Sequence, residues 1–389
     1  MSDNVTPLHP EQERRRKNRK RVLTLVGIVL LVCAVLCMIL FKQELNLDKI
    51  RRYVSYLGKE GSGTYGEYIF DAHSANNYAA FDNGLALATV AGLEVFDPYG
   101  ESLCTVNRAM SVPSIAVGKN TVLAYDVGGT AICIAGGDSA PLLGEDLAKP
   151  ILDADISGGD AVCYAVAEDG YKTVLTVLNS GQKQTYQWLS STQYLPLCAI
   201  SDSGKRLGAV SLGQMEGIFN SSAVLFSTEQ EEPLATLSLG NQLIYDLDFV
   251  DDKTLCAIGE NGLVYFDDDG KAIGEYSYDG QYLRDYSMLG NDFVTLIVNQ
   301  YKAGNRYSVV TVDNKGQELA NLYLGEEVLS ISAAGNYVAV LGAGKLYIYT
   351  ADLKPYAETE QVFGASDVVM RADGSAILIG GGAAKLYLP

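Results

Sequence analysis

An all-β fold of four-stranded units, repeated about every forty residues and held outside a membrane by one transmembrane helix, is what this sequence predicts. Three observations carry the prediction. Residues 22–41 run without a charge, and seven Lys or Arg fill the eight positions before them. From residue 65 onward, short runs of Val, Ile, Leu, Tyr and Ala alternate with Gly/Asp/Asn turns, the signature of strands and tight connections. Those turns recur in nearly the same form along the chain.

The apolar run comes first. At ~1.5 Å per residue a helix over 22–41 spans roughly 30 Å, the thickness of a bilayer core. Arg14, Arg15, Arg16, Lys17, Arg19, Lys20 and Arg21 precede it and set its orientation: the N-terminus stays cytoplasmic and everything after Phe41 lies outside. A cleavable signal peptide would have a shorter apolar core and end in a small-x-small site, whereas this run ends Met38-Ile39-Leu40-Phe41-Lys42. A lipoprotein site is also unsupported, because Cys33 follows Val32 where a small residue is wanted. Cys33 and Cys37 share a helix face one turn apart and read as small apolar residues.

The organisation that follows is a basic disordered cytoplasmic tail over 1–21, a signal anchor over 22–41, a juxtamembrane segment over 42–64 and an extracytoplasmic β domain over 65–389. In the juxtamembrane segment Leu47, Ile50, Val54 and Leu57 form one stripe of a short amphipathic helix, and 58–64 is a Gly-rich linker. The tail carries seven bases against Asp3, Glu11 and Glu13. The rest of the chain keeps 22 basic and 44 acidic residues, a net of −22. That balance keeps a domain soluble and disfavours nucleic acid as a partner. The tail bases suit anionic headgroups.

Inside the β domain, three segments align: Leu93 to Leu103 around Asp97-x-x-Gly100, Leu263 to Ile273 around Asp267-x-x-Gly270, and Val309 to Leu319 around Asp313-x-x-Gly316. Each reads as strand, tight turn, strand, with Asp bonding the turn backbone and Gly accepting positive φ. Looser copies lie at 177–182 and 348–353. A second hairpin type, strand then a turn of Asp and Gly then strand, spans 199–210 (Asp202-x-Gly204) and 368–378 (Asp373-Gly374). Units of four strands begin near Tyr78, Ile115, Leu152, Leu197, Tyr245, Tyr286, Leu329 and Val368, a spacing that suits propeller blades. The last unit has three strands, and 66–70 is a strand without a unit. An N-terminal strand that completes the last blade resolves both, closing a ring without an open edge. Eight blades are expected, with seven as the fallback.

These hairpins resemble the inner hairpins of WD40-like, TolB-like and outer-membrane-assembly-type β-propellers. The resemblance covers residue 65 to the C-terminus and is one of repeat pattern. With the basic tail and single anchor, the architecture resembles an uncharacterised group of single-pass envelope proteins of Gram-positive bacteria. It implies a fold and a place, and supplies no activity.

Little in the chain points to catalysis. His73 is the one histidine beyond the anchor, no G-x-S-x-G elbow occurs, and a multi-His metal site is excluded. Cys104, Cys133, Cys163, Cys198 and Cys256 are scattered among apolar residues without C-x-x-C spacing; they read as packed thiols, with one oxidised pair left open. Asp251-Asp252 and Asp267 to Asp269 lack the EF-hand spacing and read as solvated turns. Quinone-cofactor dehydrogenases also use eight-bladed propellers but are rich in Trp, and this chain has only Trp188. A sialidase is likewise weak, since the turn box at 201–204 lacks its aromatic end. No cofactor and no metal are expected.

In a propeller, the hairpin between second and third strands and the connection between blades emerge on the same face. Three unusual loops map there: 214–220, 299–307 and 276–285. They carry Met215, Phe219, Tyr278, Tyr282, Arg284, Tyr301 and Arg306, residue types that anchor interfaces. The expectation is a non-catalytic platform in the envelope that binds a protein partner or senses a ligand through these residues. An envelope enzyme or a carbohydrate-binding propeller is the alternative: carboxylates and Arg converging in the central funnel favour it, and a plain funnel with an apolar rim favours the platform. A signalling receptor is disfavoured, because 21 cytoplasmic residues leave no output domain.

Overall fold

Strand follows strand from Gly63 to Leu388, as the alternating sequence demands. The computed structural model describes residues 63–70, 77–137, 141–304 and 306–389. The chain divides into two units, 1–60 and 61–389. The apolar run over 22–41, the amphipathic segment, most of the linker and both histidines lie outside the described residues. No helix among the described residues is long and apolar enough to cross a membrane.

The strands form eight four-stranded antiparallel sheets, the eight blades of a propeller. The first strands of the blades are Asn77–Phe81, Pro113–Val117, Ile151–Ile156, Tyr194–Ile200, Ile244–Phe249, Tyr282–Gly290, Val328–Ala334 and Asp367–Met370. Each begins within four residues of the expected start. They meet their counterparts in neighbouring blades and so form the inner ring. Blade 8 takes three strands from the C-terminus, and its fourth is Gly63–Ile69, which pairs antiparallel with Ala383–Leu388. This closing strand begins at Gly63, two residues before the β domain was expected to start at 65. Middle strands such as Gly84–Thr89, Thr121–Asp126 and Phe293–Asn299 are buried on both faces, because each sheet is covered by a blade on either side.

The repeated turns do more than reverse the chain. In the Asp-x-x-Gly hairpins, Asp97 Oδ1 accepts from the N–H of Tyr99 (2.8 Å) and Glu101 (2.9 Å), and Asp313 Oδ1 from Lys315 (2.9 Å) and Gln317 (2.8 Å). Asn179 does the same in a looser copy, at 3.0 and 3.1 Å. The glycines have positive φ and also press against the outermost strand of the preceding blade. A Cβ on Gly100 would lie 2.5 Å from the carbonyl oxygen of Glu67, and one on Gly316 would lie 2.5 Å from the Glu275 backbone. Both positions are therefore closed to a side chain twice over.

Turns between first and second strands latch blade to blade. Asp160 of blade 3 receives four bonds from blade 2: Asn120 N (2.9 Å), Asn120 Nδ2 (2.6 Å), Thr121 N (3.1 Å) and Thr121 Oγ1 (2.9 Å). Asp202 receives Gly158 N at 2.9 Å, and Asp252 receives Ser203 N at 2.7 Å. Burial alone would raise the Asp160 carboxyl, but these donors outweigh it and hold the group below the ordinary carboxylate range. Asp160 also sits at φ 62°, where Ala is strained and Asn is tolerated. Asp160→Ala should therefore lower unfolding free energy by about 2–3 kcal/mol in urea titration, and Asp160→Asn by clearly less. Equal losses would refute the latch.

A third set of contacts ties the inner ring. Asp153 Oδ2 and Asp155 Oδ2 accept from Cys198 N (2.8 Å) and Ile200 N (2.9 Å) of the next blade. Ser287 Oγ accepts from Ala333 N (2.9 Å), and Ser332 Oγ from Met370 N (2.9 Å). Neighbouring inner strands belong to different sheets, so a short polar side chain at alternate positions supplies the acceptor that a ladder partner would otherwise provide.

Candidate functional site

The eight predicted blade starts fix which loops share a face. Strands within a blade alternate in direction, so the blade-to-blade connections and the second-to-third-strand hairpins emerge together. That face carries Tyr171, Tyr194, Ile218, Phe219, Tyr245, Tyr282, Tyr301 and Phe363 as exposed large apolar side chains. The opposite end carries Leu142, Leu234, Ile273, Leu289 and Leu319, but Tyr99 is its one exposed aromatic among the described residues. Scattered surface apolar residues are ordinary, but such an imbalance between two faces marks one as a contact surface.

Blade 4 contributes its longest hairpin. Arg206–Met215 and Ile218–Ser227 pair all the way to Met215 opposite Ile218. Glu216 and Gly217 turn the chain with φ of 53° and 83°, the positive values a two-residue hairpin turn requires. The flanking strands stop pairing at Leu212 and Ser221, so the tip stands clear of its sheet and holds out Ile218 and Phe219, the latter 48% exposed.

Four of the expected residues are gathered at blade 6. Tyr282 (39% exposed) opens its inner strand and Tyr301 (50%) tops its hairpin. Arg284 spans the two, donating to the carbonyl oxygens of Tyr301 (3.4 Å) and Lys302, while Lys302 Nζ lies 5.7 Å from the centre of the Tyr282 ring. Asn299, fully buried, shapes the hairpin from below by donating to Gly304 O (2.6 Å) and accepting from Tyr301 N (3.2 Å). Arg284 is thus a brace for the loop rather than a free cation. Arg306 donates to Gln300 Oε1 at 3.3 Å and lines a polar cavity of about 410 Å³ with Asp279, Gln281, Ser308 and Tyr323.

Tyr278 is a correction. It was expected on the contact surface, yet it is 1% exposed and packs among Cys256, Tyr265 and Met288 at the seam of blades 5 and 6. The cause is local. Tyr278 N donates to Asn261 O (3.1 Å) and Tyr278 O accepts from Gln281 N (2.9 Å), so the connection is tied down on blade 5 with the ring turned inward. Tyr194, Tyr245 and Ile218 were missed. Each lies at the outer end of a strand, where alternation alone does not show that the strand has outrun its neighbours.

The central channel is not a plain funnel. Its inner strands bring in Asp153, Asp155, Asp246, Asp248 and Asp285, all half-buried. Burial pushes Asp153 up to about 7 and Asp155, Asp246 and Asp285 up to about 6, with backbone N–H donors pulling the other way. Asp248 is raised well above its ordinary value, first by burial and then by the charges of Asp155 and Asp246. Tyr125 Oη donates to Asp153 Oδ1 at 2.7 Å. The carboxylates converge, but Asp153 and Asp155 are committed to holding the next blade. Elsewhere, Asp251 Oδ1 caps Lys253 N and Thr254 N (2.7 Å each), and no group of three or more metal-ligating side chains is found among the described residues.

Fold and face together define an eight-bladed, N-terminally closed β-propeller with an apolar loop surface. The chain belongs to a family of unknown function, DUF5711, which matches it over residues 61–369. No curated protein matches it in sequence. Among solved structures it is similar to BamB from Moraxella catarrhalis, at 14% identity and a TM-score of 0.53 over 85% of this chain and 98% of that one. It is also similar to the C-terminal WD40 domain of Sif2 (12% identity, TM-score 0.59, 85% of this chain and 100% of that one) and to the Dos1 propeller (12%, 0.59, 84% and 94%). At such identities the likeness is one of fold.

Proposed function

We propose that this protein is a membrane-anchored, extracytoplasmic propeller that docks a partner protein on its loop face and catalyses nothing itself. The observation that carries the reading is the concentration of exposed Phe219, Tyr245, Tyr282 and Tyr301 on one face, with the blade 6 pair braced by Arg284. Rigid aromatic side chains bury area at small entropic cost, which is what an interface anchor requires. The uncharged run over 22–41 and the bases before it support placing the propeller outside the membrane.

A photo-crosslinking residue at position 282 or 301, activated in intact membranes, should give one dominant protein adduct. The same residue at Ile273, exposed on the outermost strand of blade 5, should give none. Absence of a protein adduct at both loop positions would overturn the docking reading. A second reading has one specific observation behind it: the cavity of Asp279, Gln281, Arg306 and Tyr323 combines planar polar groups with an exposed ring, which suits a saccharide.

A further inference from the structure

Cys163 and Cys198 meet at the seam of blades 3 and 4. Cys163 lies on the second strand of blade 3 (Val162–Glu168), opposite Asp155 of the inner strand. Cys198 lies on the inner strand of blade 4 (Tyr194–Ile200). Their sulfurs are 3.6 Å apart, and each residue is no more than 2% exposed. Cys198 Sγ also lies 3.7 Å from the carbonyl oxygen of Asp153. The backbone on both sides is held in register, because Asp153 and Asp155 accept the N–H groups of Cys198 and Ile200. Around the pair lie Leu195, Ile200, Leu207 and Phe226, with no cation beside the sulfurs to favour a thiolate.

We infer that Cys163 and Cys198 form a disulfide that staples blade 3 to blade 4 when the chain folds in the presence of a disulfide oxidant. A disulfide bond is about 2.05 Å long, so the sulfurs need approach by about 1.5 Å, within reach of side-chain rotation between strands already in contact. The reaction is thiol–disulfide exchange. One thiolate attacks the oxidant's S–S bond, forms a mixed disulfide and expels one thiol; the second thiolate then displaces the other. Two S–H bonds are lost and one S–S bond forms in the protein, while the oxidant takes up two electrons and two protons and leaves as two thiols.

Timing follows from burial. Both thiols have their pKa raised, Cys163 by desolvation and Cys198 by its bond to Cys163 and then desolvation. The folded, reduced protein therefore exchanges slowly, and the bond closes before the seam is sealed. The bond spans 35 positions in sequence and restrains the unfolded chain accordingly. This inference is independent of what the loop face binds.

The test uses the full chain in detergent, unfolded in urea and refolded with reduced and oxidised glutathione. It is then denatured and tagged with maleimide without reductant, and its cross-linked peptides are mapped. The expected result is a single linkage, Cys163 to Cys198, with five of the seven cysteines tagged and all seven tagged after reduction. The oxidised form should also unfold at higher urea. Adding the same oxidant to folded, reduced protein should leave seven tags for hours. Seven tags after refolding, or a linkage joining either residue to Cys104, Cys133 or Cys256, would overturn the assignment. Cys163→Ser should leave Cys198 tagged without reductant, and a Cys198 that stays blocked would do the same.

Discussion

Tyr68→Ala should be among the most damaging single substitutions in the propeller, lowering unfolding free energy by about 4 kcal/mol. Tyr68 sits in the closing strand Gly63–Ile69 opposite Ala384 and is 1% exposed. Its ring meets Phe96 of blade 1 edge-on, with centroids 6.0 Å apart, and its hydroxyl lies 3.4 Å from the carbonyl oxygen of Pro98. The side chain therefore joins the strand that completes blade 8 to the face of blade 1. Truncation removes buried aromatic area and leaves a cavity where the ring closes, so the transfer loss and the cavity penalty add. Tyr68→Phe keeps the ring and gives up the hydroxyl with its long bond to Pro98 O; about 1 kcal/mol is expected. Urea titration of the two variants separates the cases. Hydrogen exchange should also show amides of 63–69 opening ahead of the other blades in the Ala variant. Similar losses for both substitutions would mean that the hydroxyl, rather than ring packing, holds the closure.

The particular residues show why some of this architecture can be read from sequence and some cannot. Asp97-x-x-Gly100 and its copies announce themselves because a tight turn restricts both positions by local chemistry. Blade starts follow from counting those turns, and the unpaired strand at the N-terminus follows from an incomplete last unit. The inner-ring pattern was present too, in Leu152-Asp153-Ala154-Asp155, Tyr245-Asp246-Leu247-Asp248, Arg284-Asp285-Tyr286-Ser287 and Leu329-Ser330-Ile331-Ser332. It went unread because a polar residue at alternate strand positions ordinarily signals a solvent face. Here it signals a neighbour from another sheet whose N–H groups lack a ladder partner. Tyr278 failed for the opposite reason. Its neighbours Asp279 and Gly280 mark a loop correctly, but side-chain direction depends on Asn261, seventeen positions earlier and in a different hairpin. Of the expected contact residues, Tyr282, Arg284, Tyr301 and Arg306 converge because they flank one connection and one hairpin of the same blade. Phe219 and Met215 belong to a hairpin two blades away.

The channel carboxylates make the second large effect one of pH. Asp153, with a folded pKa of about 7, and Asp155, Asp246 and Asp285, at about 6, all lie above the ~3.9 of an unfolded Asp. Between about pH 4 and 7 the folded state holds more protons than the unfolded state, so stability falls as pH rises through this window and is greatest near its acid end. Asp160 and Asp252 act in the opposite sense, since their carboxyls are depressed; their contribution is lost only as pH falls below about 4. Solvent in the channel screens the carboxylates, and a net change of about 4 kcal/mol between pH 8 and pH 5 is expected, with the melting temperature about 5 °C higher at pH 5. Asp153→Asn is the informative variant. It keeps an oxygen for the N–H of Cys198 but cannot ionise, so its melting temperature should vary less with pH and exceed that of the unsubstituted protein at pH 8. A melting temperature that rises from pH 5 to pH 8 would contradict the assignment of these carboxyls. Because Asp153, Asp155 and Asp246 lie outside the loops around Phe219, Tyr282 and Tyr301, and Asp285 is held in the blade 6 sheet opposite Ile297, crosslinking from that face should stay constant over the same range. A parallel loss of both would mean that the ring and the face are coupled.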